Sequence, residues 1–267
     1  MQNKVIFITG ASSGIGLATA EYLSKKGCRV YGTSRKPVQK NLSFTLLPME
    51  VTDPKSIRAA INRVIESEQR IDVLINNAGM GITGPVEETP SEAMQQVFNV
   101  NFFGAIEVMK AVLPQMRKQR SGLIINITSI AGYMGLPFRG IYSASKGALE
   151  LVTEAMRMEV RSFGIQITNL APGDFATNIA AGRYTTVLEN KSVYADNYQK
   201  SLDLMNAHVD QGEDPERMAR RIEKILQDQT LKIHYKEGTF VQKFSIVLKR
   251  ILPDTWYEKM LRNHYKL

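Results

Sequence analysis

A chain of 267 residues, 43% hydrophobic and 22% charged, carries enough apolar material for a substantial core and suits one large α/β domain or two small ones. The single cysteine, Cys28, excludes an intrachain disulfide and suits a reducing, cytoplasmic setting. The formal net charge is +8, and the excess gathers in residues 231–267, where eight Lys/Arg meet only Glu237, Asp254 and Glu258.

A basic tail of this kind suits nucleic acid, anionic lipid, an acidic substrate or simply a solvated helix face. No basic n-region followed by an apolar stretch and a cleavage site opens the chain, so no secretory signal is expected. No uninterrupted run of about 18 apolar residues occurs, so no membrane-spanning segment is expected.

In chain order, Val5-Ile6-Phe7-Ile8 is a short apolar run that suits a strand buried on both faces of a parallel sheet. Ile15, Ala18, Tyr22 and Leu23 then recur at helical spacing. Arg29–Thr33 and Phe44–Leu47 read as the second and third strands, and Pro54–Glu68 as a helix. Ile71–Ile75 is a fourth strand, followed by two helical stretches, roughly Ser91–Asn99 and Gly104–Arg117. Leu123–Ile127 is a fifth strand, Tyr142–Phe163 a long helix and Ile165–Leu170 a sixth strand. Strands alternating with helices predict a doubly wound parallel sheet, with no linker or repeat to divide 1–267 into two domains.

Between the first strand and the first helix lies Thr9-Gly10-Ala11-Ser12-Ser13-Gly14-Ile15-Gly16. Glycines at such a turn permit positive φ and close approach of the backbone to a pyrophosphate, while the helix N-terminus favours the anion. Gly10, Ser12, Ser13, Gly14, Ile15 and Gly16 are therefore candidate cofactor contacts. The spacing is Gly-x-x-x-Gly-x-Gly rather than the Gly-x-Gly-x-x-Gly of the usual dinucleotide turn.

Tyr142 and Lys146 stand four residues apart, on one face of the predicted fifth-strand-following helix, with Ser129 thirteen residues earlier at a strand end. Ligands of open α/β sheets bind near such carboxyl ends. An ammonium near a phenol favours phenolate and lowers its pKa, which suits acid–base work near neutral pH. Ser129 can donate a hydrogen bond to an oxygen that gains charge. Tyr22 and Lys26 repeat the same spacing without a serine partner or a nearby strand end, and are expected to be inert.

Thr9-Gly-x-x-x-Gly14-x-Gly16, Asn76-Asn77-Ala78-Gly79, Asn101, Ser129, Tyr142-x-x-x-Lys146 and Pro172-Gly173-x-x-x-Thr177 occur in this order. Together the chain resembles the short-chain dehydrogenase/reductase family, strongly over about 3–180. The resemblance implies a single Rossmann-type domain of about seven parallel strands. It implies catalysis by Asn101, Ser129, Tyr142 and Lys146. Tyr142 would protonate the developing alkoxide, Ser129 polarise the carbonyl, and Lys146 bind the nicotinamide ribose and tune Tyr142. Asn101 would hold a water in a relay from Lys146 to solvent. Pro172, Gly173 and Thr177 would meet the nicotinamide, and Asn77, Ala78 and Gly79 would line the adenosine side and steady the sheet. Family members are commonly dimeric or tetrameric, and no metal is implied.

Cofactor choice turns on the end of the second strand, where Thr33-Ser34-Arg35-Lys36 stands in place of an acid. A carboxylate there would bond the ribose 2′-hydroxyl, whereas a guanidinium can fork onto a 2′-phosphate. Arg35, with Ser34 in support, predicts NADP(H). Glu50-Val51 replaces the more frequent Asp-Val of the family at the adenine contact.

Residues 175–212 fall where the family places a variable substrate lid. Their Tyr184, Val187, Leu188, Tyr194, Tyr198, Leu202, Leu204 and Met205 suit either a large apolar ligand or the core of lid helices. Met134, Leu136, Pro137 and Phe138 add an apolar wall. In 238–267, Phe240, Val241, Phe244, Val247, Leu248, Ile251 and Leu252 form one helical stripe flanked by Lys243, Lys249 and Arg250, and Pro253 should end the helix. A flap over the substrate mouth, a helix resting on anionic membrane, a dimer contact and packing on the body all fit this stripe.

The predicted activity is NADP(H)-dependent hydride transfer to or from a carbonyl or secondary alcohol of a lipophilic substrate. By the extended basic tail, the chain resembles family members acting on steroids, retinoids or sphingoid ketones. The alternative is a non-catalytic NADP(H)-binding regulator on the same fold. No nucleic-acid partner is expected, since no recognition motif accompanies the charge.

Overall fold

The computed structural model describes residues 2–37, 41–176, 182–210 and 212–267. The elements in order are β1 (Val5–Ile8), α1 (Gly14–Lys25), β2 (Arg29–Ser34), β3 (Thr45–Pro48), α2 (Pro54–Glu68), β4 (Val73–Asn76) and β5 (Ile82–Thr83). Next come α3 (Ser91–Phe98), a π-helical turn (Asn99–Gly104), α4 (Ala105–Gln119), β6 (Gly122–Ile127), a 3-10 turn (Ile130–Tyr133) and α5 (Gly140–Val160). The chain continues through β7 (Ile165–Pro172), β8 (Tyr184–Thr185), α6 (Ala195–Asp210), α7 (Pro215–Gln227), β9 (His234–Glu237), α8 (Phe240–Ile251) and α9 (Asp254–Tyr265).

Among the described residues, seven strands form one sheet in the order β3-β2-β1-β4-β6-β7-β9, and every pairing in it is parallel. Alternate residues of each strand face opposite layers. Val5, Phe7, Leu74 and Ile124 pack under α2, α4 and α5 through Ile57, Ile61, Val108, Met109, Val112 and Leu149. Ile6, Ile8, Val73 and Ile125 pack under α1 and α7 through Ala20, Leu23, Met218, Ile222 and Ile225. Burial on both faces is why VIFI is uniformly apolar rather than alternating. The doubly wound Rossmann-type sheet is thus the predicted fold class, with its seventh strand, β9, unannounced by any apolar run.

Local chemistry sets several boundaries. Asp53 caps α2 by accepting from the Lys55 N–H at 2.8 Å, and Pro54 occupies the first helical position, where no donor is lost. The two helical stretches expected over 91–117 are one: Ser91–Gln119 runs unbroken for 29 residues through the π turn. By length and composition it could cross a membrane, although polar residues interrupt its sequence. Its Val108, Met109, Val112 and Met116 instead bury against the sheet, as a core helix does. The lid region, which showed little patterning, contains α6.

β1 lies between β2 and β4, so the strand order reverses there and opens a crevice at the carboxyl ends. The glycine loop follows β1 at this point.

Candidate active site

The loop after β1 is built for close approach. Gly10 has φ +69°, and a Cβ there would meet the Ala78 Cα at 2.9 Å. At Gly16 a Cβ would fall 2.3 Å from the Gly10 carbonyl oxygen. Asn77 locks this arrangement: its Nδ2 donates to the Thr9 and Gly10 carbonyls at 3.0 Å each. The Thr9 hydroxyl in turn accepts the Asn77 and Ala78 N–H groups at 3.0 and 2.9 Å. Ser12, Ser13, Gly14 and Ile15 continue the loop into the N-terminus of α1, where unpaired N–H groups favour an anion.

Ser129 follows β6 and caps the 3-10 turn, and Tyr142 lies in the first turn of α5. The Ser129 Oγ accepts the Ala131 N–H at 3.1 Å, which fixes its rotamer and leaves its O–H to donate. Ser129 is near enough to the Tyr142 phenol to hold its pKa down in part. Close approach of α5 to the turn after Ser129 depends on two glycines, since a Cβ on Gly147 would sit 2.9 Å from the Gly132 oxygen.

Lys146, 4% exposed, is one helical turn further along α5, and its Nζ donates to the Ile127 carbonyl at 3.0 Å. Asn101 projects from the π turn, a distortion that often marks functional sites. Its Oδ1 accepts the Met80 N–H at 2.8 Å, and its Nδ2 donates to the Met80 carbonyl and Ser145 Oγ at 2.9 and 3.1 Å. Ser145 Oγ passes a hydrogen bond to the Tyr142 carbonyl at 2.8 Å. A Cβ built on Gly79 would stand 3.2 Å from Asn101 Oδ1 and 3.3 Å from Lys146 Nζ, so these two groups meet at Gly79.

The electrostatics differ from the sequence expectation in one respect. Burial dominates the Tyr142 phenol and raises its pKa; Arg139 and then the Ser129 hydrogen bond lower it in part. Burial also lowers Lys146 to about 8, opposed by Glu150 one turn away. Glu150 is raised to about 7 by burial, against hydrogen bonds from Thr128 and Tyr133.

Arg139 was not singled out in the sequence. Its guanidinium lies 5.3 Å from the Tyr142 ring centroid and interacts with Tyr265 at the end of α9. No local motif marks it; only the docking of α9 brings Tyr265 to this place.

The remaining candidates distribute as follows. Ser34 ends β2 half-buried, and Arg35 follows it, exposed. Glu50 Oε1 accepts the Thr52 N–H at 3.1 Å, so its carboxylate folds onto its own turn. The Val51 side chain belongs to the core. Pro172 ends β7, and the Gly173 N–H donates to the Glu237 carbonyl at 2.8 Å. Thr177 lies outside the described residues. Among the lid residues, Tyr198 is buried with its hydroxyl on the Thr83 carbonyl at 3.0 Å, and Met205 is buried, whereas Val187 faces solvent. Tyr184 and Leu136 pack against the Tyr142 cluster with Ile82 and Met80.

The family model for short chain dehydrogenase matches residues 4–187. The chain is 42% identical over 268 residues to a 3-ketodihydrosphingosine reductase of Bacteroides thetaiotaomicron, with all of both chains covered. A short-chain dehydrogenase from Streptomyces avermitilis shares its structure with a TM-score of 0.81 at 30% identity, covering 98% of each chain. A short-chain dehydrogenase/reductase from Burkholderia phymatum, solved in complex with NAD, shares the fold with a TM-score of 0.80 at 23% identity over 93% of each chain. With this match, on this fold, the chain belongs to the short-chain dehydrogenase/reductase family of oxidoreductases.

Proposed function

We propose that this protein is an NADP(H)-dependent oxidoreductase acting on the carbonyl or secondary alcohol of a lipophilic substrate, with a long-chain 3-keto sphingoid amine as first choice. The observation that carries the reading is the gathering of buried Ser129, Tyr142 and Lys146 just beyond the carboxyl end of β6, with Lys146 and Asn101 meeting at Gly79. The 42% identity to a 3-ketodihydrosphingosine reductase over its whole length supports the substrate class.

The residues fit a dinucleotide. The compact glycine loop leaves room only for backbone against a pyrophosphate, and Arg35 stands exposed at the end of β2, where a 2′-phosphate calls for a cation. When bound, the nicotinamide supplies or accepts the hydride. Tyr142 holds at Oη the proton that a carbonyl oxygen needs on becoming an alcohol, and burial keeps that phenol protonated at neutral pH. Ser129 donates to the same oxygen as its negative charge grows. Lys146 places a cation where a nicotinamide ribose would lie, and Asn101 fixes the Gly79–Met80 backbone beside it.

The test is oxidation of NADPH and of NADH with small, steroidal, retinoid and 3-keto sphingoid ketones. Turnover of the sphingoid ketone with NADPH is expected. No turnover of any ketone would overturn the reading. Arg35→Ala should weaken NADPH binding about 10- to 100-fold, the worth of a charge-assisted contact, with NADH little affected. Equal losses for both would overturn the NADP(H) assignment.

A further inference from the structure

Helix α8 is mounted with a row of large apolar side chains outward. Phe240, Phe244, Val247 and Ile251 follow a 4-3-4 spacing on one face. All four are exposed, Phe240 at 76% and Ile251 at 67%, with Val241 exposed at the edge of the stripe. Exposed Trp256 follows at the start of α9.

The other side attaches α8 to the body through Ile246, with half-buried Leu248 and Leu252 packed on the same cluster, and through polar groups. Ile246, 1% exposed, is its buried anchor. Gln242 closes a capping box with Thr239 and donates to Asp174 Oδ2 at 2.7 Å. Lys249 lies 5.4 Å over the Tyr257 ring and pairs with Asp254 at 2.7 Å. A surface helix ordinarily turns its apolar face to the core. Here Ile246, Leu248 and Leu252 face inward, and a second row of large apolar side chains, Phe240, Phe244, Val247 and Ile251, is left to the outside.

The charge beside the stripe is of one sign. Helix α8 contains Lys243, Lys249 and Arg250 and no acid. Lys243 and Arg250, seven residues apart, lie along the same edge of the stripe. Arg250 is close enough to Lys236 on β9 to disfavour that lysine's charge.

We propose that the outer face of α8, with Trp256, docks on an anionic lipid bilayer. Phenylalanine, valine and isoleucine would enter the headgroup–acyl boundary while Lys243 and Arg250 meet lipid phosphates. A second copy of this chain is a poorer occupant. In a two-fold contact each patch meets itself, so Lys243 and Arg250 would face the same unneutralised cations. Docking also has a consequence for access. Helix α8 is seated on Gly173 and Asp174 and packs over Ile130 and Met134, the segments on either side of the Ser129–Tyr142 pair. A bilayer on its outer face would lie one helix away from these segments.

The experiment is flotation of the full chain with vesicles of phosphatidylcholine alone and of equal parts phosphatidylcholine and phosphatidylglycerol. Wild type should float with the mixed vesicles and much less with the neutral ones. Phe240→Ser/Ile251→Ser should reduce partitioning at least about tenfold, and Lys243→Gln/Arg250→Gln by a similar factor on mixed vesicles only. Both variants should keep the wild-type melting temperature and turnover of a water-soluble ketone, since neither pair touches the candidate site. Wild type that stays unbound, or variants that float like wild type, would overturn the proposal. So would a dimer by light scattering that Phe240→Ser/Ile251→Ser dissociates, without vesicle binding. Loss of ketone turnover in wild type itself would count against the proposed function and leave the flotation result standing.

Discussion

Tyr22/Lys26 and Tyr142/Lys146 have the same spacing, each pair within or at the end of a helix, and the fold gives them opposite fates. Tyr22 donates to Glu223 on α7, Lys26 pairs with the same carboxylate at 3.6 Å, and its ammonium lies 5.2 Å over the Tyr22 ring. All three groups are satisfied by one another at the rim of the α1–α7 contact. Lys146 and Tyr142 are buried, and their strongest common influence is desolvation. The lesson is that a Tyr-x-x-x-Lys acquires acid–base character from its surroundings. A nearby acid with solvent turns the pair into a tether; a strand end, a serine and exclusion of water leave it chemically poised.

The comparison breaks most sharply at the phenols. Tyr142→Phe should lower kcat by about 10²- to 10⁴-fold, the range for removing a general acid, with NADPH affinity retained. Tyr22→Phe should leave kcat within about twofold. Similar losses in both variants, in steady-state assays of folded protein, would erase the distinction.

The lysines come next. Lys146→Met should cost roughly 10²-fold in kcat/KM, and Lys26→Met almost none. Stability should run the other way. The folded pKa of Lys146 is depressed to about 8 from 10.5, so the charged form is penalised and that penalty grows as pH falls from 10.5 through 8. At pH 7 Lys146→Met should therefore gain stability, by at most about 3 kcal/mol, and the gain should fade above about pH 10.5. Denaturant unfolding at the two pH values checks this, and loss of stability at neutral pH would contradict it.

Glu150 sharpens the contrast further. Its carboxylate raises Lys146, just as Glu223 raises Lys26, but from a buried position. The reductive kcat/KM should fall as pH rises through about 8, where Lys146 loses its proton. In Glu150→Gln that limb should move to lower pH, because the opposing charge is gone. A limb that does not move would separate Lys146 from the rate profile.

The smallest effect belongs to the tether. Tyr22→Phe removes one hydrogen bond to Glu223 and should reduce unfolding free energy by about 1 kcal/mol, read from the urea midpoint.

Much of the fold was legible because the sheet is buried on both faces, which forces apolar runs such as VIFI and the LII of β6 into recognisable strands. β9 was not, since HYKE borrows its cover from neighbours and Tyr235 alone is buried. The break between the predicted helices at 99–104 was a π turn rather than a loop: Asn and Gly read as helix enders, whereas here packing carries the helix through them. In the candidate site, Ser129, Tyr142 and Lys146 were nameable from their chemistry and placement at a strand end, and Asn101, Pro172 and Gly173 only through the family resemblance. Arg139, Gln242 and Tyr265 were not, because each acts across contacts between segments far apart in sequence.

The sequence by itself determined the alternation of six main strands with helices over about residues 5–170, the glycine loop, the absence of an acid after β2 and the positions of Ser129, Tyr142 and Lys146. These follow from local periodicity and residue chemistry. Only the tertiary structure decided which tyrosine–lysine pair is desolvated, and that the α8 stripe is split, with Leu248 and Leu252 packed inward and Phe240, Phe244, Val247 and Ile251 facing outward. Periodicity fixes which residues share a helix face, but the direction of that face depends on what the helix rests upon. For α8 that is the Asp174 carboxylate, the Tyr257 ring and the pocket that takes Ile246.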